Sequence, residues 1–316
     1  MTTNAQTIAI SLLKTARPRQ WVKNLSLFAA LFFAGYLFIP TYFYAVFWAF
    51  LIFTLATSSV YIVNDIIDAP GDRRHPFKKK RPIASRQLPI PVAVFAAIVG
   101  FTASLFLAWN LNIFLFSIVL FYTLLHFGYT FWFKHVPILD VLTIATGFVL
   151  RVYAGAAVVN LHMSVWFLFT VVSLALFMAV GKRQSERTLI QGVVGSLHGQ
   201  RNTLTSYTGR LLDIYTGMFA NATWLSYALF SFNYTPFTPT GRLLTLYTIL
   251  PRTFTNAKLM MATVPLVIYG VMRYLQLVYE QNKGESPERV LLSDKPLITA
   301  VLFYILISLV IIYWLS

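Results

Sequence analysis

The sequence predicts an all-α polytopic membrane protein with nine transmembrane helices. Three observations carry that expectation. Of the 316 residues, 58% are hydrophobic and only 11% charged, whereas a soluble domain carries roughly 25% charged residues. Apolar stretches recur along the whole chain, most of them close to the roughly 20 residues that a crossing needs. The basic residues gather in alternate connections between those stretches, which is how membrane proteins set their orientation. The chain has no Cys, so disulfides, thiolate metal ligands and thiol nucleophiles are excluded. Residues 1–10 lack the basic start and apolar run of a cleaved signal, so the N-terminus is expected to be retained.

Taken in order, the spans are read at 24–39, 42–66, 90–109, 112–131, 136–159, 164–180, 212–232, 258–279 and 297–315. The first is short, and Pro40 makes a tight break before the second. No repeat of fixed period and no low-complexity tract interrupts the series, so residues 1–316 read as one integral-membrane domain.

The connections give the orientation. Lys14, Arg17, Arg19 and Lys23 precede the first span, and Arg73, Arg74, Lys78, Lys79, Lys80, Arg81 and Arg86 separate the second from the third. Lys134 precedes the fifth. Lys182, Arg183, Arg187, Arg201 and Arg210 follow the sixth, and Lys283, Arg289 and Lys295 precede the ninth. Among connections of the other parity, only that between the seventh and eighth spans is basic, with Arg242 and Arg252. The positive-inside rule then places the N-terminus in the cytoplasm, the C-terminus on the far side, and the chain in the cell membrane. The net charge of +15 lies in these clusters, which suits an anionic substrate and a bilayer; no nucleic-acid partner is expected. A homo-oligomer is compatible with the sequence.

Three of the ten carboxylates fall within eight residues, in Tyr61-Ile-Val-Asn64-Asp65-Ile-Ile-Asp68-Ala-Pro-Gly-Asp72. On a continuing helix Tyr61, Asp65 and Asp68 stand at i, i+4 and i+7 with Asn64 beside them, on one face at the cytoplasmic mouth. Asp72, after Pro70-Gly71, is expected on the adjoining loop. Carboxylates this close repel one another and are costly to desolvate at the end of a span, so something positive must neutralise them. Oxygen donors without His or Cys point to magnesium, which bridges one or two carboxylates to substrate phosphates. The plainer alternative is that these acids offset the basic loop beside them.

That loop reads Arg73-Arg74-His75-Pro76-Phe77-Lys78-Lys79-Lys80-Arg81-Pro82. It is an orientation anchor that attracts anionic head groups, and Lys78 and Arg81 are expected to reach phosphate oxygens, with Lys79 and Lys80 solvated. Asp140 and Arg151, eleven residues apart, share a helix face within the fifth span. An Arg there marks a functional site whose partner is an acid or a substrate anion, or a structural ion pair. Lys182-Arg183-Gln184-Ser185-Glu186 leaves the sixth span on the cytoplasmic side, and Lys134 faces the same mouth. His126, His162, Asp213 and Glu280 read as structural.

Asn64-Asp65-x-x-Asp68-x-x-x-Asp72 followed by Arg81-Pro82-Ile83 resembles the UbiA-type superfamily of intramembrane prenyltransferases. Within it the chain is most similar to the branch of decaprenyl-phosphate phosphoribosyltransferases. The resembling segments are residues 17–24, His75-Pro76-Phe77-Lys78, residues 129–140, Gly147 to Arg151, and Lys182-Arg183 with Glu186. They end near residue 190.

The resemblance implies nine helices around a cytoplasm-facing cavity. It also implies magnesium-dependent transfer of 5-phosphoribosyl from phosphoribosyl diphosphate to a polyprenyl phosphate, for a cell-envelope polysaccharide precursor. Carried over by position, Asn64 and Asp68 are metal ligands, with Asp65 and Asp72 as ligands or their supports. Tyr61, Lys23 and Lys78 contact the donor, and Lys134, Arg151 and Lys182 hold phosphates. Asp65, Asp68 and Lys78 are the residues expected to carry the chemistry, with Arg81, Arg183 and Glu186 in the substrate site. Two departures stand out. Arg86 replaces the Gly that many members have after the Arg-Pro-Ile-x-Ser stretch, and Lys182-Arg183-x-x-Glu186 stands where aromatic prenyltransferases carry a second acidic motif. Cations there suit a donor with a second phosphate across the ribose. The rival readings are a prenyl diphosphate-dependent aromatic prenyltransferase and a transporter without chemistry.

Overall fold

The computed structural model describes residues 5–74, 78–194, 207–234, 258–280, 290 and 293–315. These residues are helical, with no strand among them. We number the α-helices in chain order: α1 (Ala5–Thr15), α2 (Phe28–Phe33), α3 (Pro40–Asp72), α4 (Ile90–Leu111), α5 (Ile113–Phe131), α6 (Leu139–Val158), α7 (Val165–Val194), α8 (Gly209–Asn233), α9 (Val264–Tyr279) and α10 (Lys295–Leu309). Seven helical segments are long and apolar enough to cross a membrane: Pro40–Asp72, Ile90–Leu111, Ile113–Phe131, Leu139–Val158, Val165–Thr188, Leu259–Tyr279 and Lys295–Leu315. They make the chain a multi-pass membrane protein by length and composition.

Two predicted spans come out differently. Residues 24–39 are not one α-helix: a 3-10 helix, Pro18–Leu27, runs into the six residues of α2, and Gly35 turns the chain at φ 79°. The Ser26 hydroxyl donates to the Lys23 carbonyl three residues back (2.8 Å), in step with the 3-10 repeat. The seventh expected span is present as the 25-residue α8, but Arg210, Asp213 and Asn221 make it more polar than the seven.

Helix starts follow local chemistry. Pro40 opens α3, where a missing N–H costs nothing. Asn112 caps α5 by accepting from the Phe114 and Leu115 amides, and Thr208 caps α8 through Leu211. In α3, Thr57, Ser58 and Ser59 donate to Thr54 or Leu55 carbonyls, which satisfies their hydroxyls inside an apolar span.

The chain divides into two compact units, Met1–Leu31 with Ile39–Lys134 and Leu150–Leu161, and Phe32–Phe38 with His135–Val149 and His162–Ser316. The core of the first joins Ile62, Ala69, Ile83, Leu88, Ala93 and Ala97, with Ile8 and Leu12 of α1 packed on it. Gly155 lets α6 meet the 3-10 helix: a Cβ there would lie 1.8 Å from the Leu27 carbonyl oxygen. In the second, Phe177, Ala220, Val271, Tyr274 and Leu277 form one apolar cluster, and Val141, Ala179, Val180, Tyr207 and Leu212 another.

Candidate active site

The acidic face predicted on the second span is the last three turns of α3. The helix runs on through Pro70 and Gly71, so Asp72 is its final residue and not part of the following loop. Proline fits helical φ, but Pro70 cannot donate to the Ile66 carbonyl and its ring crowds that group, so the last turn needs support from outside the helix. The buried Asp72 carboxylate then takes Arg81 at 2.7 Å, which ties the helix end down.

Each carboxylate of the motif meets a cation brought by another segment of the first unit. Arg17 Nη2 lies 2.5 Å from Asp65 Oδ1, and Arg81 Nη1 lies 3.0 Å from that same oxygen. Lys134 Nζ lies 3.0 Å from Asp68 Oδ1. The side chain of Asp65 is only 3% exposed whereas that of Asp68 is 33% exposed, so Asp68 is the open acid. Arg17 also stacks over Tyr61, 4.9 Å from the ring centroid, and its backbone is left-handed at φ 54°. That conformation is uncommon for a residue with a Cβ. The Asn64 amide oxygen accepts from the Thr130 hydroxyl of α5.

The plainer alternative for the acids is thus realised in part, because Arg81 and two further cations do neutralise them. Among the described residues, no three acids or histidines are grouped so as to hold a metal by themselves. Carboxylate and amide oxygens still suit magnesium, which commonly takes one or two carboxylates and completes its shell with phosphates and water. Asp68 and Asn64 are the residues that would hold it, with Asp65 and Asp72 fixed beside them.

Lys78 is exposed at the start of a short 3-10 helix, Lys78–Lys80, with Lys79 and Lys80 beside it, and Lys23 is half-buried. His75, Pro76, Phe77, Arg201, Arg242, Arg252, Lys283, Glu285, Glu288 and Arg289 lie outside the described residues.

Arg151 and Asp140 do not take each other as partners. Arg151 is buried; its Nε donates to Asn24 Oδ1 and its Nη2 to the Tyr122 hydroxyl, both at 2.8 Å. Asn24 is oriented in turn by its amide N–H groups, which donate to Thr54 and Thr57. An amide and a phenol give the guanidinium directional partners in a dry span, where unpaired donors are costly.

Asp140 belongs to a network in the second unit. Its Oδ2 lies 2.7 Å from Arg183 Nε, both side chains being 1% exposed, and its Oδ1 accepts from the Tyr207 hydroxyl at 2.7 Å. Arg183 continues to Glu186 Oε2 at 2.5 Å, and Lys182 stands 3.8 Å from the other oxygen of Glu186. The Tyr207 oxygen also accepts the Ile138 N–H at 2.6 Å, holding a β-branched residue at φ 71°. Burial first, and then the Asp140 carboxylate, push the Tyr207 phenol well above its ordinary value. Arg183 is therefore enclosed between two acids, and Lys182 is the more open cation of that turn. Asp213 and Glu280 have structural partners, as expected: Asp213 accepts from Gln184 and Tyr279, and Glu280 from Gln276.

Sequence reasoning overlooked Arg17, Thr130, Asn24, Tyr207 and the Arg273–Asp294 pair (2.8 Å). Arg17 counted toward orientation and stood in a resembling segment with no role of its own, since no spacing rule ties residue 17 to residue 65. Asn24 carried two signals, an amide at the edge of an apolar stretch and the last place in that same segment, but neither named its partner.

The sequence model of the UbiA prenyltransferase family matches residues 24–307. The chain is 32% identical over 311 residues to the decaprenyl-phosphate phosphoribosyltransferase of Corynebacterium glutamicum, covering 97% of this chain and 88% of that protein. It is 37% identical over 227 residues to the protein of the same name from Mycolicibacterium smegmatis, covering 70% of each. In fold it is similar to a UbiA homolog from Archaeoglobus fulgidus solved with GPP and Mg2+, at 18% identity, a TM-score of 0.65, and coverage of 96% of this chain and 99% of that one. With the family model matching most of its length, this chain belongs to the UbiA prenyltransferase family.

Proposed function

We propose that this protein transfers 5-phosphoribosyl from phosphoribosyl diphosphate to decaprenyl phosphate or a similar polyprenyl phosphate, releasing diphosphate, as a step toward a cell-envelope polysaccharide precursor. The observation that carries the reaction class is the end of α3, where three carboxylates meet Arg17, Arg81 and Lys134 beside the Asn64 amide. Such an end can take a metal–diphosphate group. The substrate pair rests on the likeness, over 97% of the chain, to a relative named for that reaction.

Magnesium supplies positive charge to the leaving diphosphate when bound. Asn64 and Asp68 would hold it, with Asp65 and Asp72 as ligands or supports. Lys23, Tyr61 and Lys78 contact the donor, and Lys78 and Arg81 draw charge from the leaving group, so that C1 of the ribose gains oxocarbenium character. The lipid phosphate is anionic at neutral pH and needs no general base. Lys134, Arg151 and Lys182 hold phosphates, while Arg183 and Glu186 fix the turn that carries Lys182. Attack opposite the diphosphate inverts C1 and gives a β-linked product, which NMR of the isolated lipid tests; an α-linkage overturns inversion.

The composite of the 3-10 helix with α2, and α8, are counted with the seven apolar segments as nine crossings of a single transferase domain. Its N-terminus and active-site mouth face the cytoplasm. The donor is tested by competition: purified protein is given labelled phosphoribosyl diphosphate and a prenyl diphosphate together with polyprenyl phosphate. Label in the lipid supports the reading. Consumption of prenyl diphosphate alone replaces it with an aromatic prenyltransferase.

A further inference from the structure

The acids and cations at the end of α3 differ in how freely they can move. Asp65 and Asp72 have side chains 3% and 7% exposed, while those of Arg17 and Arg81 are 30% and 28% exposed. The carboxylates are fixed in the protein and the guanidiniums sit at its edge. Two guanidiniums also crowd one oxygen, Asp65 Oδ1, at 2.5 and 3.0 Å. Like charges that share one acceptor repel each other, so either can be withdrawn while the acid keeps a partner. Arg17 comes from a left-handed backbone ahead of Pro18 and Arg81 from a position ahead of Pro82. Neither backbone is part of α3, so Arg17 can leave without disturbing the helix, and Arg81 can release Asp65 while its contact with Asp72 still holds the helix end.

We propose that Arg17 and Arg81 are exchangeable caps on the acidic end of α3, which move from carboxylate to diphosphate when the donor and its divalent ion arrive. The inference rests on the phosphate-transfer reading above and deepens it. Three carboxylates facing three cations make a neutral cluster in the free protein. A divalent ion entering alone at Asp65 must compete with the two guanidiniums already held there. A diphosphate entering alone meets cations already committed to acids. Arriving together they satisfy both sides: the ion takes carboxylate oxygens, and the displaced guanidiniums take phosphate oxygens, for which their forked donors are well shaped. Metal and donor therefore bind synergistically, and each binds weakly alone. Arg17 acquires a role in donor retention that its position in the sequence does not suggest.

The test uses the full-length protein in detergent and measures retention of radioactive Mn2+ with and without phosphoribosyl diphosphate, with free Mn2+ corrected for its complex with the donor. The converse measurement follows labelled donor with and without Mn2+. In the wild type each partner tightens the other by about tenfold. Arg17→Asn keeps a residue that enters the left-handed region readily while removing the charge, and Arg81→Gln removes the other cap from a separate segment. Each variant binds Mn2+ alone up to about fivefold more tightly, as expected for loss of a partly exposed competing pair, and each loses part of the synergy. Mn2+ bound as tightly alone as with donor, or weakened in both variants, overturns the caps. Synergy of Mn2+ with geranyl diphosphate but not with phosphoribosyl diphosphate sustains the caps and overturns the donor assignment instead.

Discussion

Asp140 and Arg183 offer a clear test of what a buried ion pair does in this fold. Both side chains are 1% exposed and 2.7 Å apart. Removing one partner of such a pair costs about 3–5 kcal/mol, because the other charge stays behind unsolvated. Here Asp140→Leu leaves Arg183 with Glu186 at 2.5 Å, which lowers the expected cost to about 3 kcal/mol, and it also removes the Tyr207 hydrogen bond, worth about 1 kcal/mol. We expect a total of about 4 kcal/mol. Arg183→Met strands Asp140 with Tyr207 as its remaining partner, leaves Glu186 to Lys182 at 3.8 Å, and costs about 3 kcal/mol. The double variant replaces both charges by apolar groups and should cost less than either single change, because no buried charge is left behind. Equilibrium unfolding in mixed micelles gives the three values, and the cycle gives a coupling of several kcal/mol. Additive costs would refute the claim that this pair is held by mutual compensation.

Further predictions follow from other contacts. Gly155→Ala places a methyl 1.8 Å from the Leu27 carbonyl oxygen, a backbone atom that cannot yield cheaply; about 3 kcal/mol of stability should be lost, and an unchanged unfolding midpoint would contradict the packing. The Tyr207 phenol is held protonated by burial and by Asp140. The folded state therefore keeps a proton that the unfolded chain releases near pH 10, so this group's contribution is intact below about pH 10 and is lost as pH rises further. Tyr207→Phe should flatten that alkaline slope relative to the wild type, and identical slopes would contradict it. Lys134→Met leaves Asp68 without its cation at 3.0 Å, and should cut transfer by about tenfold or more while the helical circular dichroism stays unchanged.

The sequence was informative where one helix carried the signal. The acidic face of α3 needed only spacing on a single element, and the apolar segments only length and composition. Partners from distant segments were not legible. Arg17 and Asp65 are 48 residues apart, Lys134 and Asp68 66, and Arg151 and Asn24 127. Asp140 and Arg151 looked like partners because they share one helix, yet each finds a better-placed group from another element. Asp72 was assigned to a loop because Pro-Gly ordinarily ends a helix, but its ion pair with Arg81 secures one more turn. The broken form of the first span followed from a local 3-10 preference that hydropathy does not register.

We propose above that the end of α3 carries a metal-dependent transfer of phosphoribosyl to a lipid phosphate. The most direct measurement incubates labelled phosphoribosyl diphosphate and polyprenyl phosphate with purified protein, with and without magnesium, beside Asp68→Asn. Label is expected in the lipid fraction only for the wild type with magnesium. Equal transfer by Asp68→Asn, or transfer that persists in a chelator, would contradict it.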